Sequence, residues 1–488
     1  MRIFAAEMKQ RDFIFNIIIL ILLNLLVKPF WILGVDVAVQ NRVGADAYGL
    51  YFAIFNFTYL FNVVLDMGTT NFNNRNIARY PQLLSKHLSG IIALKLLLGA
   101  LYLALTFTVA LCIGYDALHL RLLFWMAVNQ FLNAFILYLR SNVSALMMFK
   151  TDSVLSVLDR LLMIVICGLL LWTDLLHSEF KIEYFIYAQT AAYSLSALAA
   201  LAVVFSKARF QHIRFRPAFC LMILKKSFPF ALLYLLMSFY NRIDSVMLER
   251  ILPNDISTFE AGIYASAFRL LDALVMIAYL FSVILLPLFS KMLKEREEIS
   301  PIVRSAFSLL FFFSTTSAVI LLAFKLPVLQ LLYDKHIAES AAVFSFLIPC
   351  IIPISFTYIF GTLLTANGSM KLLNLSAVAG ILVNLAVNFA LIPRLHACGA
   401  AIASLSTQTV MAGIQTVIAF RQLNLPLKDI PYLKCLAFTA ILIPSVIIFA
   451  QHFNGGVLAT LSICALWAFF CALITRLIPL RFWKDFTH

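Results

Sequence analysis

Leu88–Ile113 reads LSGIIALKLLLGALYLALTFTVALCI, a run of apolar residues interrupted by one charge, Lys95. A helix that crosses a bilayer needs about 20 mostly apolar residues, and this run exceeds that. Its apolar positions go all the way round a helix instead of forming one stripe, so the expected solvent is lipid. Similar runs recur along the chain near 13–35, 49–69, 120–147, 154–172, 184–205, 228–250, 262–288, 303–325, 340–362, 371–391, 399–421, 431–451 and 455–475. The expected fold class is therefore an all-α polytopic membrane protein of about 14 transmembrane helices. The first run, Phe13–Val35, is too long for a signal-peptide core and is expected to stay as a membrane helix.

Composition agrees. Of 488 residues, 63% are hydrophobic and 12% charged, against roughly 45–50% and 25% in soluble domains. A soluble chain of this size has too little interior to hide so much apolar surface. The net charge is 37 − 23 = +14, which in a soluble protein would point to nucleic acid. Here the basic residues sit in short connectors, where they report topology, so no nucleic-acid partner is expected. The eight cysteines are scattered without a CxxC pair, so neither a disulfide framework nor a metal site is expected.

An even number of spans puts both termini on one side. With the N-terminus inside, inner segments carry 24 Lys and Arg and outer ones seven, which makes both termini cytoplasmic. The longest connector, 206–227, holds six basic residues and no acidic one, and reads as a basic cytoplasmic linker that touches the phospholipid headgroups.

An internal repeat divides the chain. GLYFAIF at Gly49–Phe55 returns as GIYASAF at Gly262–Phe268, an offset of 213. Spans 1 and 2 thus correspond to spans 7 and 8, six spans apart and in the same orientation. The expected organisation is an N-lobe at 1–205, the linker at 206–227, a C-lobe at 228–424, and two further spans with a tail at 425–488. The two lobes are pseudo-symmetric six-helix bundles.

Six basic residues lie inside spans: Lys28, Lys95, Arg140, Arg160, Arg242 and Arg269. Each costs about 2.5–3.5 kcal/mol at a helix centre, so each should face a wet cavity or a partner. The intramembrane acids are fewer, Asp66, Asp159, Asp244 and Asp272, and full pairing still leaves positive charge for an anion. By position, Lys28, Arg242 and Arg269 fall in the outer half of the bilayer, and Lys95, Arg140 and Arg160 in the inner half. Asn24 lies one turn from Lys28, and Asn129 and Asn133 share the face of Arg140. These asparagines, with Asp244 and Asp272, are candidate sugar or ion contacts. Competing explanations exist. Arg269 and Asp272, three residues apart, can neutralise each other. Lys95, Arg160 and Asp159 can snorkel, and the asparagines can glue helices together. Pro29 removes a helix hydrogen bond beside Lys28 and is a candidate hinge.

The run Gly44–Tyr80, GADAYGLYFAIFNFTYLFNVVLDMGTTNFNNRNIARY, resembles the start of bacterial polysaccharide-biosynthesis flippases of the O-antigen type. The likeness continues in Asn241–Leu248, NRIDSVML, and in Glu260–Arg269, EAGIYASAFR. These flippases belong to the multidrug/oligosaccharidyl-lipid/polysaccharide flippase superfamily. The resemblance implies two lobes around a central cavity working by alternating access in the bacterial inner membrane. The implied cargo is an undecaprenyl-diphosphate-linked oligosaccharide for O-antigen- or capsule-type surface polysaccharide, with other glycan assembly proteins as partners. It implies a diphosphate-binding role for Arg242 and Arg269 and, by cavity analogy, for Lys28. Related lipid II flippases keep more arginines in their first two spans, which counts against a peptidoglycan precursor here.

No GxxxxGK[ST] phosphate loop occurs, so the expected drive is membrane potential or an ion gradient, without a cofactor. Two alternatives stand beside this: a multidrug or cation exporter of the same superfamily, which needs acidic cavity residues, and a polyprenyl-linked glycan polymerase or glycosyltransferase. The outer connectors are short for such an enzyme, with only Asp36 and Asp46 near span 1. The chain is expected not to be an enzyme.

Overall fold

The structure is a computed structural model that describes residues 23–24, 26–70, 73–74, 77, 80, 82–173, 179–208, 217–426, 430–452 and 456–478, with the backbone alone for Phe149 and 217–230. The start of span 1, the linker residues Arg209, Arg214 and Arg216, Lys428 and the tail from 479 lie outside the described residues. The described chain is helical, with no strand.

Span 1 runs as helix over 26–30, widens into a π-helical turn at Trp31–Asp36, and continues into α1 (Val37–Leu60). There follow α2 (Val63–Asp66), α3 (Leu83–Cys112), α4 (Ala117–Ala145), α5 (Phe149–Trp172), α6 (Ile182–Lys207) and α7 (Pro217–Ile251). The second half holds α8 (Asn254–Glu295), α9 (Ser300–Ala323), the short α10 (Lys325–Leu332), α11 (Ile337–Leu347) and, after a 3-10 turn, α12 (Ile351–Ala366). The chain ends with α13 (Met370–Gln422), α14 (Tyr432–His452) and α15 (Val457–Ile474).

Among the described residues, ten helices are long and apolar enough to cross a membrane. Eleven of the expected spans fall on them, because α13 carries two, joined across His396. The spans near 13–35, 49–69 and 228–250 fall on the helices at 26–60 and on α7, outside that set of ten. Large apolar side chains stand outward, among them Leu433 at 82% exposed and Leu466 at 70%. Such a surface suits acyl chains and not water.

The chain divides into two compact units, Met1–Val246 and Met247–His488. In the first, α4 packs on α6 and α1, and α6 on α5. Its core draws Leu88, Ile91, Tyr138, Leu139, Val143, Leu155 and Val204 from α3, α4, α5 and α6. In the second, α12 packs on α8, α9 and α13, while α14 and α15 lie on α9. The two units share a pattern of neighbours: spans 2, 4 and 6 pack in series in one, and spans 8, 10 and 12 in the other. Tyr51 and Tyr264, equivalent in the repeated motif, are both buried.

Two internal breaks set where spans turn. Gly44 has φ 85 and ψ 170, a region essentially closed to residues with a Cβ. His396 has φ 49 and ψ −129 and splits α13. The second break is capped from α8: the Ala397 amide donates to Glu260 Oε2 at 3.1 Å, and His396 Nδ1 lies 3.3 Å from Oε1. An acidic acceptor at a helix N-terminus satisfies an orphan amide and suits the helix dipole. Gly399 lets the chain double back, because a Cβ there would stand 2.6 Å from the Leu391 carbonyl.

A methyl added at Gly44 meets no heavy atom within 4 Å, and neither does one at Gly413 inside α13. The two differ only in backbone. Gly44→Ala should therefore lower the thermal midpoint in detergent, by about 1–3 kcal/mol of strain. Gly413→Ala should raise it slightly through helix propensity. Shifts of the same sign at both positions would refute this account of the break.

Candidate functional site

The first unit gathers charge around span 1. Asn24 Nδ2 donates to Ser156 Oγ of α5 at 3.0 Å, which fixes this end of span 1 against α5. One turn later, Lys28 comes within electrostatic range of Arg160 and Asp159 on α5 and Arg140 on α4. Each arginine has a carboxylate of its own. Arg140 Nε meets Asp152 Oδ1 at 2.8 Å, and Arg160 Nε meets Asp159 Oδ2 at 3.5 Å. Arg160 also lies over the rings of Trp31, at 5.7 Å, and Tyr193, at 5.8 Å. Lys28 is half-buried and makes no hydrogen bond or ion pair among the described residues. The cations Lys28, Arg140 and Arg160 share three carboxylates: Asp152 on Arg140, Asp159 on Arg160, and Asp36 within electrostatic range of Arg160.

Asp36 lies two turns beyond Lys28, 2% exposed, and accepts a hydrogen bond from Tyr48 at 2.8 Å. It comes into electrostatic range of Arg160 but is not among the charges acting on Lys28. The sequence placed Asp36 in a connector, because a charge ends a hydropathy window. The helix instead absorbs it through Tyr48 and runs on to the break at Gly44.

Lys28, expected at the depth of Arg242, comes within electrostatic range of Arg140 and Arg160, which were expected at the other depth.

The other expected residues fall out individually. Arg242 stands 5.2 Å over the Tyr59 ring, and Tyr59 and Tyr234 join their hydroxyls at 2.9 Å. Beside it Asp244 is 1% exposed, and Asn56 donates to Ser245 at 2.8 Å. In the second unit, Arg269 is buried on α8 with Asp272 Oδ2 at 3.9 Å, a loose version of the expected i, i+3 pair. Asn129 donates to the Ile186 carbonyl at 3.3 Å and ties α4 to α6, while Asn133 is half-buried. Two further asparagines, Asn388 and Asn384, fully buried on α13, bond to each other at 3.0 Å. Pro29 is followed at once by the π-helical turn, so the regular helix is interrupted where a hinge was expected.

Lys95 is a correction. Snorkelling was one explanation for it, yet it is 1% exposed and donates to Asp66 Oδ1 at 2.6 Å and to the Leu65 carbonyl at 3.0 Å. The Tyr138 ring lies 5.8 Å away. Lys95 sits 13 residues into a 30-residue helix, too deep for its stem to reach an end. Arg160 does not snorkel either; it is folded onto Trp31 and Tyr193.

Sequence reading missed Trp31, Ser156, Gln189 and Tyr193, and weighed Asp36 only for the enzyme alternative. A usable signal was Gln189, Tyr193 and Ser196 along one face of α6, a polar stripe that lipid would not reward. Separately, a cavity of about 600 Å³ near Gly44 is lined by Arg42, Leu50, Leu122, Lys181 and Glu183 among others, and includes none of the expected site residues. Outside the spans, Asp116 caps α4; the His119 amide and ring hold its carboxyl below the usual carboxylate range.

The Lys95–Asp66 pair predicts an asymmetry. Asp66→Asn leaves a buried ammonium without its counter-charge and should cost about 3–5 kcal/mol. Lys95→Met should cost less, because Asp66 is 36% exposed and keeps hydrogen bonds from Thr69 and Thr70. The double variant should recover most of the loss. Thermal unfolding of the three proteins checks the order, and a double variant no better than Asp66→Asn would contradict it.

The fold has known counterparts. The structure superposes on lipid II flippase MurJ, inward closed, with TM-score 0.72 and 15% identity, covering 97% of this chain and 100% of that one. An inward-facing MATE-family multidrug resistance transporter of the MOP superfamily matches with TM-score 0.64 and 14% identity, over 83% of this chain and 94% of that one. A MOP-superfamily transporter from Pyrococcus furiosus, described as having a binding pocket of reverse polarity, matches with TM-score 0.54 and 14% identity over 84% and 93%. No curated protein matches by sequence. The family described as "Polysaccharide biosynthesis protein" matches residues 13–293, which is 281 of 488 positions. Over more than half its length, and with the helical fold and the intramembrane cations in place, the chain belongs to the polysaccharide biosynthesis protein family.

Proposed function

We propose that the protein is a flippase that carries an undecaprenyl-diphosphate-linked oligosaccharide from the inner to the outer leaflet of a bacterial inner membrane, with both termini cytoplasmic. One observation supports this most: Lys28, an ammonium inside the first unit, makes no hydrogen bond or ion pair among the described residues, while the carboxylates around it are engaged by Arg140, Arg160 and Tyr48. Burying an uncompensated charge costs several kcal/mol. A cationic site that persists under that cost is suited to a ligand that removes it, and a diphosphate does so. The polyprenyl tail needs no polar site and can stay in acyl chains. Export of an anion also runs with a negative-inside potential, about 2.3 kcal/mol per charge per 100 mV, so no nucleotide hydrolysis is required.

Export of cationic drugs is the reading to separate from this one, since MATE transporters share the fold. Such cargo calls for carboxylates turned toward it. Asp36 is buried and already accepts the Tyr48 hydroxyl, and Asp152 and Asp159 are engaged by arginines. Span 1 carries only Lys28 and span 2 no basic residue, which argues against a lipid II cargo. Polymerase or transferase activity has no convergent acid–base pair to support it among the described residues.

Proteoliposomes loaded with radiolabelled lipid-linked oligosaccharide test the proposal. Wild type should expose label to the outer leaflet. Lys28→Ala should lower the rate at least tenfold, Lys28→Arg should keep most of it, and Arg242→Ala should slow it with normal insertion. Full activity in Lys28→Ala, or transport of cationic dyes in place of the lipid, would exclude this function.

A further inference from the structure

Arg160 lies between two rings that the charge inventory alone does not explain. Trp31, on span 1, and Tyr193, on α6, stand 5.7 and 5.8 Å from its guanidinium carbon, and both are buried, at 6% and 7% exposed. The rings are themselves braced. Phe185 stacks on Trp31 at 5.9 Å and an interplanar angle of 5°, Tyr51 meets Phe185 edge-on at 5.2 Å, and Gln189 donates to the Tyr51 hydroxyl at 2.7 Å. A guanidinium is planar and carries five N–H donors in a fixed fork; the Tyr193 hydroxyl takes one of them, and the two aromatic neighbours together fix the direction of the fork. Asp159 takes Nε at 3.5 Å and the Met163 sulfur lies 3.7 Å from Nη1; further donors remain for phosphate oxygens. Trp31 opens the π-helical turn three residues after Lys28, so one short segment places both cations.

We infer that Trp31 and Tyr193 are positioning residues that hold Arg160 as a rigid, planar anion ligand near Lys28, the two together gripping a pyrophosphate group. This rests on the flippase reading. A lysine at position 160 keeps the charge but loses the plane, so the clamp requires both the rings and the fork.

The test is titration calorimetry of the full-length protein in detergent with inorganic pyrophosphate. Trp31→Leu and Arg160→Lys should each weaken binding about tenfold, the scale of a desolvated cation–ring contact. Their combination should weaken it no further, because the two changes remove one interaction. Trp31→Phe should keep most of the affinity, and Tyr193→Leu repeats the test from the other ring if Trp31→Leu does not fold. A lower thermal midpoint with unchanged affinity in Trp31→Leu, or additive losses in the double variant, overturns the clamp. Loss of binding in Lys28→Ala alone overturns the clamp and spares the flippase reading; absence of binding by wild type overturns both.

Discussion

A charge inside a bilayer must find a partner, water or a ligand, and this constraint orders the interior of the first unit. Lys95 resolves it with Asp66 and a carbonyl, Arg140 with Asp152, and Arg160 with Asp159 and two rings. Each solution takes a carboxylate from a neighbouring helix, turn or residue, so helix contacts and charge compensation are one problem. Lys28 stands apart because its neighbours have already taken the nearby acids. A structural lysine would be expected to look like Lys95. The contrast between two lysines in one bundle is what separates packing from candidate function.

The same economy shapes the backbone. Spans must turn at bilayer edges, and a turn leaves amides and carbonyls unsatisfied. Gly44 supplies a conformation closed to other residues. At His396 the solution is chemical: Glu260, two residues before the repeated motif on α8, reaches the Ala397 amide. At the offset of 213 the counterpart of Glu260 is Ala47, which has no carboxylate to offer, so this cap belongs to the second half of the repeat alone.

Much of this was legible before any coordinates. Apolar runs located eleven spans on the long helices, and the resemblance carried by Gly44–Tyr80 named the family. The charged residues of interest were also legible, because a lysine in an apolar run is conspicuous. Their grouping was not. Asp36 was read as the edge of span 1, whereas the helix accommodates it through the Tyr48 hydroxyl and runs on to Gly44, and hydropathy edges carry no information on which helices bring Lys28 near Arg140 and Arg160. The ring clamp was hidden for a related reason. Trp31, Tyr193 and Phe185 are indistinguishable from lipid-facing aromatics in sequence, and only packing shows that they face a guanidinium.

The fold matches a lipid flippase and drug exporters at nearly equal identity, so topology cannot decide between an anionic lipid and a cationic drug. The proposed reading turns on Lys28, which has no ion pair among the described residues while Asp152, Asp159 and Asp36 are engaged by Arg140, Arg160 and Tyr48. A cation cargo would have to approach Lys28 against repulsion and leave the ammonium uncompensated, whereas a diphosphate lowers the cost of burying both partners at once. Binding of that kind must also be reversible for release, and the arrangement suits it. In the proposed flippase the Lys28 ammonium would regain hydration on release, while Arg160, beside Trp31 and Tyr193, would keep its geometry.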